Sequence, residues 1–185
     1  MSISTAVIAD RFISRSRATD IALIAGGALL TALAAQVQIP MFPVPMTMQT
    51  FSVLLVGAAL GAGRGALSLS LYLVLGAIGM PVFAGAKTLT GVLPTTGYLI
   101  GFVAAAAIIG FFASKGWTKN PIKLALVLAL GTVVIYAFGV SGLMLTLGLS
   151  FPQAIAGGVA PFVLGDVVKA TAAAALLPAV WKLTK

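Results

Sequence analysis

The chemistry open to this chain starts from two residues three apart. Asp166 and Lys169 stand in the run Pro161-Phe-Val-Leu-Gly-Asp-Val-Val-Lys169, which opens an apolar stretch continuing to Trp181. On a helix, positions i and i+3 lie on one face. Asp166 is the only carboxylate side chain after Asp20. An ionisable residue inside a hydrophobic span is costly, so it marks a functional site by default and calls for a named partner. Lys169 is that partner. In the functional reading the two form a polar clamp for a small polar ligand, with the Asp166 carboxylate accepting N–H bonds and the Lys169 ammonium donating to a carbonyl or carboxylate. In the structural reading they are an intrahelical ion pair that lets two charges tolerate a membrane. The spacing alone supports both.

Few other residues can do chemistry. The chain has no Cys and no His, which removes thiolate and imidazole metal sites, His-ligated haem, Cys–His catalysis and disulfides. With so few acids, general acid–base chemistry has few players, so no catalytic residue, metal ligand or cofactor is assigned. The phosphate-loop pattern G-x-x-x-x-G-K-[ST] is absent; Lys87 and Thr88 follow no such glycine pair. Uncharged hydrogen-bonding groups gather instead in Pro- and Gly-rich loops. Gln38, Thr47 and Gln49 accompany Met41, Phe42 and Met46 in residues 36–50, and residues 82–98 carry Phe83, Thr88, Thr90, Thr95, Thr96 and Tyr98. Apolar walls with a few polar groups are what a small-molecule pocket needs. Phe83 and Tyr98 can pack on a ligand ring or sit as interfacial aromatics.

The elements that must position these groups are membrane helices. Of 185 residues, 61% are hydrophobic and 8% charged, against about 25% charged in a soluble domain; the mean hydropathy is +1.17. The expected class is an all-α integral membrane protein, a bundle of six transmembrane helices. Residues 1–19 read as a cytoplasmic tail and 20–185 as one membrane domain. The spans fall near 20–39, 49–62, 66–80, 97–113, 122–147 and 161–181. A short helix starts at Ser150 with Pro152 in its first turn, and Thr95 and Thr96 are candidate caps for the fourth span. Pro178 is expected to kink the last span. In the first span Ala28 and Ala32 lie four apart, a spacing that lets helices approach closely, either within the bundle or against another membrane protein.

Charge orients the bundle. With the N-terminus inside, nine basic residues fall on the inner side (Arg11, Arg15, Arg17, Arg64, Lys115, Lys119, Lys123, Lys182 and Lys185), Lys87 lies outside, and Lys169 lies within the last span. This asymmetry puts both termini in the cytoplasm and accounts for the net charge of +8 without nucleic acid. The polar loops at 36–49 and 81–98 and the 148–161 connection then share the outer side. Asp166 sits roughly 8 Å into the last span from that side and Lys169 roughly 12 Å, so loops and charges converge on an outward-facing pocket.

Four segments carry a resemblance: Val44-Pro-Met-Thr-Met-Gln-Thr-Phe51, the stretch from Gly65 to Phe83, Pro94-Thr-Thr-Gly-Tyr-Leu-Ile-Gly-Phe102 and Pro161 to Lys169. Through them the chain resembles the BioY family, the biotin-specific S component of energy-coupling factor (ECF) vitamin transporters. The resemblance implies the S-component fold in a bacterial cytoplasmic (inner) membrane and capture of biotin from outside. It implies that Asp166 and Lys169 bind biotin, with Thr47, Gln49, Phe83, Thr95 and Tyr98 about the pocket and Lys87, Thr88 or Thr90 as candidates for a further contact to the ureido ring. Ala28 and Ala32 match the motif that docks a transmembrane coupling subunit, which works with two ATPase subunits. The family's Pro-Thr-Gly-Gly-Tyr is Pro-Thr-Thr-Gly-Tyr here, with Thr96 at the changed position. Biotin suits the pair: Asp166 can take the ureido N–H groups, and Lys169 can donate to the ureido carbonyl or the tail carboxylate. The alternatives are an S component for another vitamin and an ion-coupled secondary transporter. The latter needs a protonatable cluster, and one Asp paired with a Lys is a poor proton carrier.

Overall fold

A computed structural model describes residues 7–89, 91 and 93–182 of the chain. The helices are α1 Ala9–Phe12, α2 Arg17–Gln36, α3 Gln49–Leu60, α4 Ala62–Ala77, α5 Thr96–Ser114, α6 Pro121–Leu147, α7 Phe151–Gly158 and α8 Val163–Lys182. Between α2 and α3 lie two strands of two residues each, β1 Gln38–Ile39 and β2 Met46–Thr47, and a 3-10 turn at Trp117–Lys119 precedes α6.

Local chemistry sets the boundaries. Ser16 caps α2, accepting from the Thr19 amide while the Thr19 hydroxyl accepts from the Ser16 amide, so this helix starts three residues earlier than the sequence reading placed it. The prolines that follow α2 forbid a helix there. The loop they stiffen is pinched by antiparallel pairing of Gln38 with Thr47 and Ile39 with Met46. Gly61, at φ +83, breaks α3 from α4 in a single residue, because only glycine takes that conformation freely. Asn120 caps α6 by accepting from the Ile122 and Lys123 amides, with Pro121 in the first turn. As expected, α7 starts at Ser150, whose amide donates to the Gln153 side chain. Thr95 makes no capping bond; Thr96 instead accepts from the Leu93 amide and ties down the turn before α5. α8 runs on past Pro178 to Lys182.

Among the described residues, four helices are long and apolar enough to cross a membrane: α2, α5, α6 and α8, with 20, 19, 27 and 20 residues. Helices stand where the second and third spans were read, near 49–62 and 66–80, as α3 and α4 with 12 and 16 residues. At 1.5 Å per residue these reach about 18 and 24 Å, short of a hydrocarbon core about 30 Å thick. The Gly61 break and the pinched loop bound α3 on either side.

α5 is the central helix, packed on α3, α4 and α6. Lipid-embedded helices gain little from expelling apolar surface, so they associate by close packing at small residues. Gly97 of α5 lies against Gly142 and the Phe138 carbonyl of α6, and Gly101 against Ile135 and Phe138. Farther along α5, Gly110 touches the backbone of Gly61 and Ala62. Between α2 and α3 a buried bond joins the Thr31 and Ser52 hydroxyls at 2.8 Å.

The N-terminal segment, read from sequence as a tail, folds onto one end of the bundle. Val7, Ile8 and Ala9 are buried and Val7 meets Gly61. Asp10 pairs with Arg15 and Arg64, both at 2.6 Å, and Arg64 also reaches Asp20 at 3.2 Å. Burial works to raise the Asp10 carboxyl, but hydrogen bonds from Arg15 and Arg64 and their charges outweigh it and hold the group below its ordinary value of 3.8.

Two outcomes are expected. Gly97→Ala drives a methyl group into the Phe138 carbonyl and costs about 1–3 kcal/mol of stability, read as a lower thermal unfolding midpoint in detergent. A carboxyl held below its ordinary value stabilises the fold above pH 3.8 and loses that contribution as pH falls through its lowered value. Asp10→Asn therefore lowers the midpoint at pH 7 and narrows its gap to wild type as acid is added.

Candidate functional site

Asp166 lies in the first turn of α8, its amide donating to the Phe162 carbonyl at 2.8 Å. Lys169 follows one turn later. The two residues are 5% and 8% exposed and form a salt bridge of 2.8 Å. The ammonium has three N–H groups, and all are used: on Asp166 Oδ1, on the Thr47 carbonyl at 2.7 Å and on Thr50 Oγ1 at 3.2 Å. The Thr50 hydroxyl donates to Asp166 Oδ1 at 2.8 Å, and the Tyr136 hydroxyl donates to Oδ2 at 2.6 Å. The ion pair thus joins α8 to β2, α3 and α6. Removing charges from water is offset only when such bonds complete the pair.

Each element reaches this point for a local reason. The β1–β2 pinch returns the chain so that the Thr47 carbonyl stands before α3. Thr47 then donates to the Gln49 side chain at 2.9 Å, and Gln49 donates to the Tyr72 hydroxyl at 2.8 Å. Tyr72 passes the chain on to the Val82 carbonyl at 3.2 Å. The Tyr98 ring packs on Gly139, where a side chain would collide with it, and its hydroxyl donates to the Gly158 carbonyl. That bond fixes α7 over the start of α5.

The charged pair opens on one cavity of about 50 Å³, walled by Val44, Pro45, Met46, Leu99, Phe102, Ile135 and Phe162 as well as by Thr47, Gln49, Thr50, Thr95, Tyr98, Tyr136, Asp166 and Lys169. The polar groups face one side of an apolar and aromatic chamber. With one carboxylate and one ammonium the site is neutral overall yet offers acceptors and donors a few ångströms apart. That suits a neutral group with both N–H and C=O, or a zwitterionic contact. The volume corresponds to several waters rather than a ring system.

Of the residues singled out from sequence, Asp166, Lys169, Thr47, Gln49, Thr95 and Tyr98 meet at this cavity. Phe83, Lys87 and Thr88 do not line it. Phe83 is 3% exposed, packs edge-on to Tyr72 at 5.2 Å and fills the space over Gly76. Lys87 is exposed and its carbonyl accepts from the Phe83 amide at 3.0 Å; Thr88 is half-buried. Thr90 lies outside the described residues. Ala28 is 1% exposed, packed inside the bundle, and Ala32 is half-buried. Sequence reading missed Thr50 and Tyr136 as partners of the charged pair. Tyr136 carried a signal: it is a hydroxyl-bearing ring in an otherwise apolar span.

The BioY family model matches residues 7–185. A biotin transporter BioY of Thermotoga maritima is 40% identical over 149 residues, which cover 78% of this chain and 85% of that one. The biotin transporter BioY of Rhizobium etli is 36% identical over 143 residues, 72% of this chain and 76% of its own. A crystal structure at 2.1 Å of the S-component for biotin from an ECF-type ABC transporter superposes with a TM-score of 0.75, at 24% identity, over 91% of this chain and 95% of that one. The fold is therefore shared with that S-component.

Breaking a buried pair on one side leaves an uncompensated charge and costs about 3–5 kcal/mol. Lys169→Met is expected to lower the thermal midpoint sharply, and Asp166→Asn added to it is expected to restore much of the loss. The comparison of single and double variants in detergent checks this.

Proposed function

The chain belongs to the BioY family, and on that premise we propose that it is the substrate-capture subunit of an ECF-type transporter, holding biotin in the Asp166–Lys169 cavity. The observation that carries the reading is a neutral, buried donor–acceptor pair set in an apolar chamber. Biotin presents two ureido N–H donors and a carbonyl, an apolar thioether ring and a carboxylate tail. The Asp166 carboxylate takes ureido N–H groups and Lys169, with Tyr136, turns its donors to the carbonyl. Thr47, Gln49, Thr50 and Thr95 complete the polar wall, while Tyr98, Phe102 and Phe162 enclose the rings.

Binding exchanges bonds instead of adding them to bare groups. Every buried side-chain polar atom among the described residues has a partner, so biotin displaces contacts such as Lys169 to the Thr47 carbonyl. That exchange couples the ligand to the 37–48 loop, whose β2 strand carries this carbonyl.

We place the chain in the cytoplasmic membrane with six spans, α3 and α4 being the short ones, and both termini inside. Supporting this, Arg11, Arg15, Arg64 and Lys119 gather at the end of the bundle opposite the cavity: Asp10 holds Arg15 and Arg64, and Arg11 and Lys119 lie over Trp181. The positive-inside rule makes that end cytoplasmic. The chain has no nucleotide-binding pattern, so ATP hydrolysis belongs to two ATPase subunits, reached through a membrane coupling subunit that docks on the bundle, with α2 contributing through Ala32.

Titration calorimetry on the purified protein tests the reading. Wild type is expected to bind one biotin tightly, Asp166→Asn and Lys169→Ala to lose at least about 100-fold, in line with about 2–5 kcal/mol for truncating one partner of a buried pair, and Gly139→Ala to bind several-fold more weakly because its methyl group displaces the Tyr98 ring. A folded wild type that binds no biotin would reject it.

A further inference from the structure

A second cavity is larger than the one at the charged pair. α2 and α8 both pack on the short helix α3 and leave a lateral groove between them. It holds about 440 Å³. Its walls are apolar throughout, including Ala22, Gly26 and Leu30 of α2, Leu55 on the floor, and Leu176 and Val180 of α8. Gly26 opens directly into it, since a side chain there would meet nothing within 4 Å.

The groove ends at the basic end of the bundle. Ile8 and Val180 both line it, and beyond them stand Arg11 and Trp181. The Arg11 guanidinium lies 5.9 Å from the Trp181 ring centre and the Lys119 ammonium 4.8 Å from it, both exposed. The nearest acid along the chain, Asp10, is committed to Arg15 and Arg64. Among the described residues Arg11 and Lys119 pair with no carboxylate. An all-apolar wall that runs toward two cations with no carboxylate partner is complementary to one kind of occupant, a molecule with a long hydrocarbon chain and an anionic head.

We propose that the α2–α3–α8 groove holds the acyl chain of an anionic phospholipid, with its phosphate on Arg11 and Lys119 beside Trp181. The aromatic ring steers both cations toward the interface, and the head lies in a layer where each basic residue adds to attraction for anionic lipid. The inference does not depend on the ligand of the other cavity; it needs only that the groove face the bilayer.

Native mass spectrometry of the full chain tests it, with phosphatidylglycerol and phosphatidylcholine of identical acyl chains added to the detergent-purified protein. One phosphatidylglycerol is expected to be retained in clear preference to phosphatidylcholine. Arg11→Gln and Lys119→Gln are each expected to weaken phosphatidylglycerol about fivefold and leave phosphatidylcholine unchanged. Gly26→Leu fills the groove and weakens both lipids while keeping both cations. Lys87→Gln removes a charge elsewhere and changes neither. Equal retention of the two lipids, wild-type retention in the Arg11→Gln/Lys119→Gln protein, or an equal loss in Lys87→Gln would each overturn the proposal, the last by reducing the effect to net charge. Lipid displaced from wild type only by a bound coupling subunit, with Gly26→Leu binding lipid normally, would assign the groove to that subunit instead.

Discussion

A charge buried in a membrane bundle must find its partners inside the protein, because lipid offers none. The structure is arranged around that demand at Asp166 and Lys169. The pair draws a backbone carbonyl from β2, a hydroxyl from α3 and a phenol from α6, elements 30 to about 120 residues away along the chain. These partners bring the loop before α3 and the middle of α6 to the first turns of α8. The same geometry that makes two charges tolerable also makes a chamber with donors and acceptors on one wall. The ion pair is observed, and the binding proposed above uses the same arrangement.

Close packing supplies the frame. The α5–α6 contact depends on Gly97, Gly101 and Gly142, where backbones approach too closely for side chains, as lipid-embedded helices require in the absence of a hydrophobic drive. One further glycine, Gly139, leaves room for the Tyr98 ring, and the Tyr98 hydroxyl anchors α7. The site and the core are consequently continuous: a methyl group added to α6 is felt by a ring in the cavity. At the other end the Asp10, Arg64 and Asp20 network ties the N-terminal segment, α2 and α4 into one cap, so ion pairs hold each end of the bundle and small residues let α5 lie close along its neighbours.

Much of this was legible from residue types. The i, i+3 spacing marked the charged pair; prolines and glycines marked the loops; Ser150 with Pro152 marked α7; hydropathy placed α2, α5, α6 and α8. What stayed hidden were distances through space. Thr50 sits 116 residues from Asp166 and Tyr136 sits 30 from it, so no sequence period joins them. Phe83 read as a ligand-facing ring, but the gap over Gly76 claims it for packing. The short lengths of α3 and α4 were already in the spans read at 49–62 and 66–80; the structure narrows the turn between them to the single residue Gly61. Val7 to Ala9 belonged to the bundle although arginines surround them, because Asp10 and Asp20 compensate Arg15 and Arg64.

The most direct measurement is an experimental structure of the protein with biotin bound. The account predicts the vitamin inside the chamber, the Asp166 carboxylate within hydrogen-bond distance of it, and the Lys169 bond to the Thr47 carbonyl lengthened or replaced from its present 2.7 Å. Biotin seated elsewhere on the bundle, with the Asp166–Lys169 pair and its Thr47, Thr50 and Tyr136 bonds unchanged, would contradict it.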